Sequence, residues 1–223
     1  MSNETALANQ QEPAKKYEFT GETIEVGDYT LYRIRALKDF DDVKAGHLGG
    51  FIENENNLSH DGNCWVYDNA LVLNPAHIYE NAKIFNKAII MDFVYGNAHL
   101  SYNAWVYHQA RVYGNAKLSG NARIHSKAVV YDHAFVYGNA HVYGNIYGNA
   151  SVGGYTKVYG SVYGNAKVTG YHTIRGLVHG NARLKRDGYS YVKQNVHYAY
   201  GIPEDCEIYK NDHVVKIIKN NAA

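Results

Sequence analysis

The sequence has few cysteines and no long hydrophobic run. Its 223 residues include two cysteines, Cys64 and Cys206, far apart in the chain. This argues against a disulfide framework and favours a reducing compartment, so we expect a cytoplasmic protein. No apolar run approaches the ~18 residues of a membrane span, and the N-terminus lacks the apolar core of a signal peptide. We therefore expect no membrane association.

The sequence also lacks an excess of charge of either sign. It has 22 basic and 21 acidic residues, with a formal net charge of +1. This balance argues against a mimic of a polyanion and against an electrostatic nucleic-acid binder, so nucleic acid is not an expected partner. It still allows a small basic pocket.

What the sequence does contain is a six-residue repeat. Between about residues 58 and 185, 22 aliphatic positions recur without a polar interruption, most of them six residues apart. A small residue, usually alanine, stands four residues after most of them, and Gly-Asn or a substitute lies between. The aliphatic positions are Val66, Val72, Ile78, Ile84, Ile90, Val94, Leu100, Val106, Val112, Leu118, Ile124, Val130, Val136, Val142, Ile146, Val152, Val158, Val162, Val168, Ile174, Val178 and Leu184.

Each hexad is predicted to be a short strand followed by a corner. The aliphatic and small residues point inward, while the residues flanking each aliphatic point outward. Glycine and asparagine suit the corners because they tolerate left-handed backbone angles. Three hexads make one triangular coil, and stacked coils make an all-β parallel β-helix of about seven coils with an aliphatic core.

Four steps in the repeat are two residues short. They run from 90 to 94, 142 to 146, 158 to 162 and 174 to 178. Counting faces in order from Val66, Val72 and Ile78, all four follow the second face. The shortening therefore keeps the coils in register and tightens one corner.

The rest of the chain divides into a tail and two caps. We expect a disordered tail over residues 1–16, a β cap and lead-in loop over 17–57, the repeat over 58–188, and a β-hairpin cap over 189–223. Distinct segments at both ends argue against end-to-end polymer growth.

The phase of the repeat predicts an aromatic ladder on the third face. Neighbouring coils are about 4.8 Å apart, so these rings can stack. Such a ladder either stabilises an exposed sheet or offers an aromatic platform to a base, a sugar or a protein. Its members are Tyr79, Tyr95, Tyr113, Tyr131, Tyr147 and Tyr163, followed by His179.

The second face carries two predicted surfaces. Its first coils expose apolar side chains, which either lie beneath the N-terminal strands or form an oligomer interface. Its later coils place Arg123, His125, Tyr143, Lys157 and Tyr159 together, and we expect them to line a cleft between subunits that suits a nucleotide-like anion. The apolar set is Leu71, Leu73, Ile89, Met91, Trp105 and Tyr107.

Histidines are numerous, but none shows convincing metal-ligand spacing, so no metal site is expected. Most occupy outward or corner positions. His125, beside Arg123, is the best-placed candidate for a general base, and His133, which replaces a corner asparagine, is the second.

The segment "DFDDVKAGHLGGFIENENNLSHDGNCWVYDNA" (39–70) resembles the YdcK-like family of bacterial and phage-borne hexapeptide-repeat proteins. The matching elements include Asp39-Phe40, Asp42 to Gly46, Gly49-Gly50 and Cys64-Trp65. The resemblance implies that the β-helix, with its small β-strand caps at both ends, is left-handed, and that the protein is a homotrimer. Members are often labelled acyltransferases, although fold alone does not establish function.

Two functions follow as alternatives. The first is a non-enzymatic binding or scaffold protein, with no cofactor, that captures a small anionic ligand or a host protein as a phage or prophage accessory factor. The second is an acyltransferase that uses acetyl-CoA, with His125 or His133 as the base. Enzymes of the resembling superfamily usually interrupt a coil with a long loop that carries or covers the site. This sequence has no such loop within the repeat, which counts against the acyltransferase alternative.

Overall fold

In the computed structural model, three parallel sheets wind around one aliphatic core. The structure describes residues 15–186 and two C-terminal strands, Cys206–Tyr209 and His213–Lys216. The β-helix that the sequence predicts is confirmed. The direction of the side chains alternates within each hexad: one strand residue points out, the next points in, and a two-residue turn makes the corner. Within these described residues, no helix has the length and hydropathy of a membrane span.

The strands of each face pair in parallel with the coils above and below. The first face contains Trp65–Val66, Lys83–Ile84, His99–Leu100, Lys117–Leu118, Phe135–Val136, Ser151–Val152, Lys167–Gly170 and Arg183–Arg186. The second contains Leu48–Ile52, Leu71–Val72, Ile89–Ile90, Trp105–Val106, Arg123–Ile124, His141–Val142, Lys157–Val158 and Thr173–Ile174. The third contains His77–Ile78, Phe93–Val94, Arg111–Val112, Val129–Val130, Asn145–Ile146, Ser161–Val162 and Leu177–Val178.

All 22 repeat aliphatics are buried in one continuous core. Ile52 and Leu58 extend that core by a further coil, giving about eight coils rather than seven: Ile52 pairs with Val72, and Leu58 bridges to Ile78. The step from Leu58 to Val66 is eight residues, which hides this coil from a six-residue pattern. Parallel pairing therefore begins within the segment 17–57.

The N-terminal segment both caps the helix and packs along its side. Its strands β1 (Tyr17–Val26) and β2 (Tyr29–Ala36) form an antiparallel hairpin, and β2 pairs with β3 (Leu48–Ile52). The Tyr17 and Ile34 end joins the main core. The other end packs Leu31 against Phe51 and Leu73 on the outside of the second face. A short 3₁₀ helix, Glu55–Asn57, follows β3.

Lys16, expected in the disordered tail, belongs to the folded cap. It is 1% exposed. Its Nζ donates to the Cys64 carbonyl at 2.9 Å, to the Asp61 carbonyl at 3.3 Å and to Cys64 Sγ at 3.2 Å. Burial lowers its pKa. The ammonium thereby satisfies backbone acceptors at the open end of the helix, which a sequence pattern could not reveal.

The corner after the second face differs between coils. In coils with the short step it is a tight bend, as at Gly144 and Gly160. In two adjacent coils it is a full turn with consecutive left-handed residues, namely His108 and Gln109 (φ 58° and 68°) and then Ser126 and Lys127 (φ 58° and 65°).

The C-terminal strands Cys206–Tyr209 and His213–Lys216 pair antiparallel and extend the sheet of the first face. The remainder of the expected cap over 189–223, like most of the expected tail over 1–16, lies outside the described residues.

Candidate functional site

The second face gathers most of the predicted ligand-binding residues on one surface. Its strands present two outward columns, one before and one after the buried aliphatic. Arg123 and Lys157 stand in the first column, where Arg123 pairs with His141 and His141 with Lys157. Tyr143 and Tyr159 stand in the second column with His125. The phase of the repeat explains this placement, since these positions repeat coil by coil.

A groove of about 770 Å³ runs beside the first column, along the corner between the first and second faces. Its volume is in the range of small-molecule sites. No lining residue is acidic. The lining residues are Ile24, Asn69, Leu71, Lys87, Ile89, Asn103, Trp105, Asn121, Arg123, Asn139 and His141.

Arg123 is the central cation of this groove. Its guanidinium carbon lies 5.1 Å from the ring centre of Trp105, close enough for a cation–π contact. The neighbouring His141 has a lowered pKa, first because it is partly buried and then because Arg123 and Lys157 are near. His141 is therefore neutral at pH 7, and Arg123 supplies the fixed charge.

One edge of the groove is a ladder of corner amides. Asn103 Nδ2 donates to Asn121 Oδ1 at 3.0 Å, and Asn121 Nδ2 donates to Asn139 Oδ1 at 2.9 Å. Each amide carries a second N–H that this ladder does not use. These asparagines were not among the predicted site residues, although their regular spacing at the corners is visible in the sequence.

His125 is buried beside the groove and does not line it. It is 7% exposed and lies between Tyr107, whose ring centre is 5.1 Å away, and Tyr143, at 3.6 Å. Its Nε2 is buried without a hydrogen-bond partner. Burial, followed by the charges of His141, His108 and Arg123, lowers the pKa of His125 to about 4. Such a group is a weak base at neutral pH.

This burial predicts a pH dependence of stability. In the unfolded chain the pKa of His125 is near 6.5 and in the folded chain about 4, so the unfolded state binds the extra proton between these values. Stability is therefore lost as the pH falls from 6.5 towards 4. We expect His125→Phe, which keeps an aromatic ring there, to reduce this loss by about 2 kcal/mol.

Urea denaturation at pH 7.5 and pH 4.5 measures the difference. His133→Phe, at an exposed corner, is the matched control and should leave the loss unchanged. Equal losses in wild type and His125→Phe would show that His125 is not the group that titrates.

His133 lies on another corner, between the third and first faces. It lines a separate hollow with Asn97, Asn115, Lys117 and Phe135. The two candidate bases therefore do not share a site. Among the described residues, no group of three or more His, Cys, Asp or Glu side chains is placed to hold a metal ion.

The hairpin covers much of the predicted apolar interface. Leu73 is 1% exposed and packs with Leu31 and Phe51. Leu71, Ile89 and Met91 are half-buried against the same cluster. Leu73 is thus unavailable to another subunit, because the chain's own β1 and β2 lie over it. Only Trp105 and Tyr107 stand outside this cluster.

The tyrosine ladder stacks along the third face. Successive ring centres from Tyr79 to Tyr163 are 4.7–5.1 Å apart with interplanar angles of 3–12°, and His179 stacks on the last ring at 5.0 Å. Each interior ring uses both faces on its neighbours. The ladder therefore presents ring edges outward, and a stacking platform for bases is not formed there.

Positive charge is concentrated in the later coils. Residues 93–186 contain ten Lys and Arg residues and one acidic residue, Asp132. The balanced charge of the whole chain conceals this, because the acidic residues are concentrated before residue 93. The groove lies where the basic part begins.

Comparison with known proteins supports the fold. The chain is 38% identical over 77 residues to the "Uncharacterized acetyltransferase YdcK" of Escherichia coli (strain K12). The chain is a hexapeptide-repeat β-helix protein. The predicted resemblance to YdcK is thereby confirmed. The match covers 34% of this chain and 22% of the relative, so the chain spans about a fifth of the length of the relative it matches. No family model matches the hexapeptide-repeat chain.

Proposed function

We propose that the chain binds a small organic anion, such as a phosphate ester, in the groove of the second face. The observation that carries this proposal is the lining itself: Arg123 stands over Trp105 with corner amides on one side, and no carboxylate is present. Guanidinium and amide donors suit phosphate oxygens, and Trp105 adds apolar surface. All lining residues come from one chain, so the groove does not depend on the expected homotrimer.

Binding is tested by isothermal titration calorimetry with ADP, CoA and acetyl-CoA. We expect Arg123→Gln to weaken binding about 10- to 100-fold, because one charged hydrogen bond is worth about 1.5–3 kcal/mol. Raising the salt concentration should weaken binding to the wild type as well.

Arg111→Gln is the matched control. Arg111 is also exposed and begins a strand, but on the third face. It should leave the affinity unchanged. Equal losses in the two variants would indicate non-specific charge attraction, and no binding of any probe by the wild type would contradict the proposal.

Acetyl transfer is a second candidate, favoured by the printed name of YdcK. Acetyl-CoA would supply the acetyl group, and Arg123 with the corner amides would hold its phosphates. His141 is the better-placed base, because it lines the groove and is neutral at pH 7. Release of CoA thiol above background with amine or hydroxyl acceptors, lost in His141→Gln, would support transfer. The host-protein partner, phage role and cytoplasmic location predicted from the sequence stay predictions.

A further inference from the structure

The outward side chains that line the groove change from apolar to polar and charged along the axis of the β-helix. From coil to coil, the outward residue is Leu71, then Ile89, then Trp105, and after these come Arg123 and His141. One half of the groove is therefore apolar, and the other, the cationic half, carries the Arg123 guanidinium beside the neutral His141. The order is fixed by the parallel register, which stacks these five side chains in one column.

The apolar half is closed at its outer end. Ile24 of β1 lines the groove beside Leu71, and it packs against the cluster of Leu31, Phe51 and Leu73. Leu71 and Ile89 remain half-exposed. Lys87 stands exposed in the corner column nearby, where its aliphatic stem can lie along the wall while its ammonium stays in water. This end of the groove is therefore lined by apolar side chains and closed by Ile24.

The cationic half is short of negative partners. Within the described part of the chain, neither Arg123 nor His141 forms a salt bridge. Lys157 continues the column one coil further. An anion at Arg123 therefore meets positive charge without displacing a carboxylate, so its binding needs no ion pair to be broken.

We propose that the ligand is an amphiphilic anion, with a phosphate or carboxylate head at Arg123 and His141 and an aliphatic tail along Trp105, Ile89 and Leu71 towards Ile24. This rests on the proposed function and specifies its ligand. The three coil steps from Arg123 to Leu71 span about 14 Å, the length of an alkyl chain of about ten carbons.

The occupant is a single small molecule rather than a bilayer or a protein face. The apolar strip is one side chain wide per coil, and the groove holds about 770 Å³, which suits one ligand. A membrane surface or a second subunit would instead require a broad apolar patch, and β1 and β2 cover that region.

Calorimetry with a homologous series tests this. The probes are inorganic phosphate, butyl, octyl and decyl phosphate below their micellar concentrations, decanol, and phosphatidylcholine–phosphatidylglycerol vesicles. We expect affinity to rise about two- to four-fold per added methylene up to decyl phosphate. Decanol and vesicles should bind at least ten-fold more weakly than decyl phosphate.

Two variants test the apolar and the cationic half of the groove separately, and a third is the control. Ile89→Asn should remove most of the length dependence while butyl phosphate still binds, and Arg123→Gln should weaken every alkyl phosphate. Val129→Asn is the control, because Val129 is also half-buried at the start of a strand but lies on the third face. Thermal melting of each variant checks that it folds.

Two failures are distinguishable. If phosphate and decyl phosphate bind equally, the amphiphile proposal is overturned and anion binding stands. If no phosphate binds, anion binding itself fails. Length dependence that ignores Ile89→Asn, or binding to vesicles alone, would also overturn the proposal.

Discussion

Gly160→Ala is expected to destabilise the protein by about 3 kcal/mol, since it forces a methyl group into a packed backbone. A Cβ at Gly160 would collide with the carbonyl oxygen of Gly176 on the next coil. That backbone cannot easily move, because Tyr159 N–H donates to the Ile174 carbonyl at 2.7 Å and Ser161 N–H donates to Gly176 at 3.0 Å. Glycine is thus required where two shortened corners stack on each other, as Gly160 does on Gly176. Asp92 occupies the equivalent position in the first shortened coil, where the next coil has a full turn at this corner.

Gly164→Asn is the matched control, one corner further along the chain. Gly164 has φ +68°, and a Cβ there would have its nearest contact at 3.2 Å. Asp132 occupies the equivalent position two coils earlier with φ 57°. We therefore expect a loss below about 1 kcal/mol. Urea denaturation followed by circular dichroism compares the two, and equal losses would show that the tight corner tolerates a side chain.

Ile124→Ala is expected to cost about 3–4 kcal/mol, because it opens a cavity in the axial core. Ile124 is fully buried and stacks between Val106 and Val142 in the parallel register. Each face contributes one aliphatic column and one column of small residues to the core, so few neighbours can move in to fill the space.

The adjacent substitution gives the contrast. Arg123 precedes Ile124 but points out of the sheet, so Arg123→Ala should change stability by less than about 0.5 kcal/mol. The same denaturation experiment measures both. A larger loss for Arg123→Ala than for Ile124→Ala would contradict the phase of the repeat and with it the composition of the groove.

The core and the faces could be predicted because each depends on local spacing. Val66, Val72 and Ile78 set the phase, and the same phase placed Arg123 and Lys157 on one surface. Ile52 and Leu58 were not recognised as repeat positions because an eight-residue step precedes Val66. That step contains the Asp61-Gly62-Asn63 turn, which a strict period does not accommodate.

Features that depend on distant contacts could not be predicted in this way. The hairpin reaches Leu73 from residues about forty positions earlier in the chain. His125 appeared as an exposed base, yet the rings of Tyr107 and Tyr143 pack against it and bury it. The groove also needs the amide ladder, which forms only when the coils are in register. The sequence shows the types of these residues, but it does not show which of them are buried by contacts with distant parts of the chain.

The most direct test of the groove as a binding site is a two-dimensional ¹H–¹⁵N NMR titration of the full chain with CoA. The binding account predicts shifts confined to the second face and its leading corner, above all the Trp105 indole N–H and the amides of Asn121, Arg123 and His141. Shifts centred on the tyrosine ladder at Tyr95 and Tyr113, or no shifts with CoA, ADP or acetyl-CoA, would contradict it.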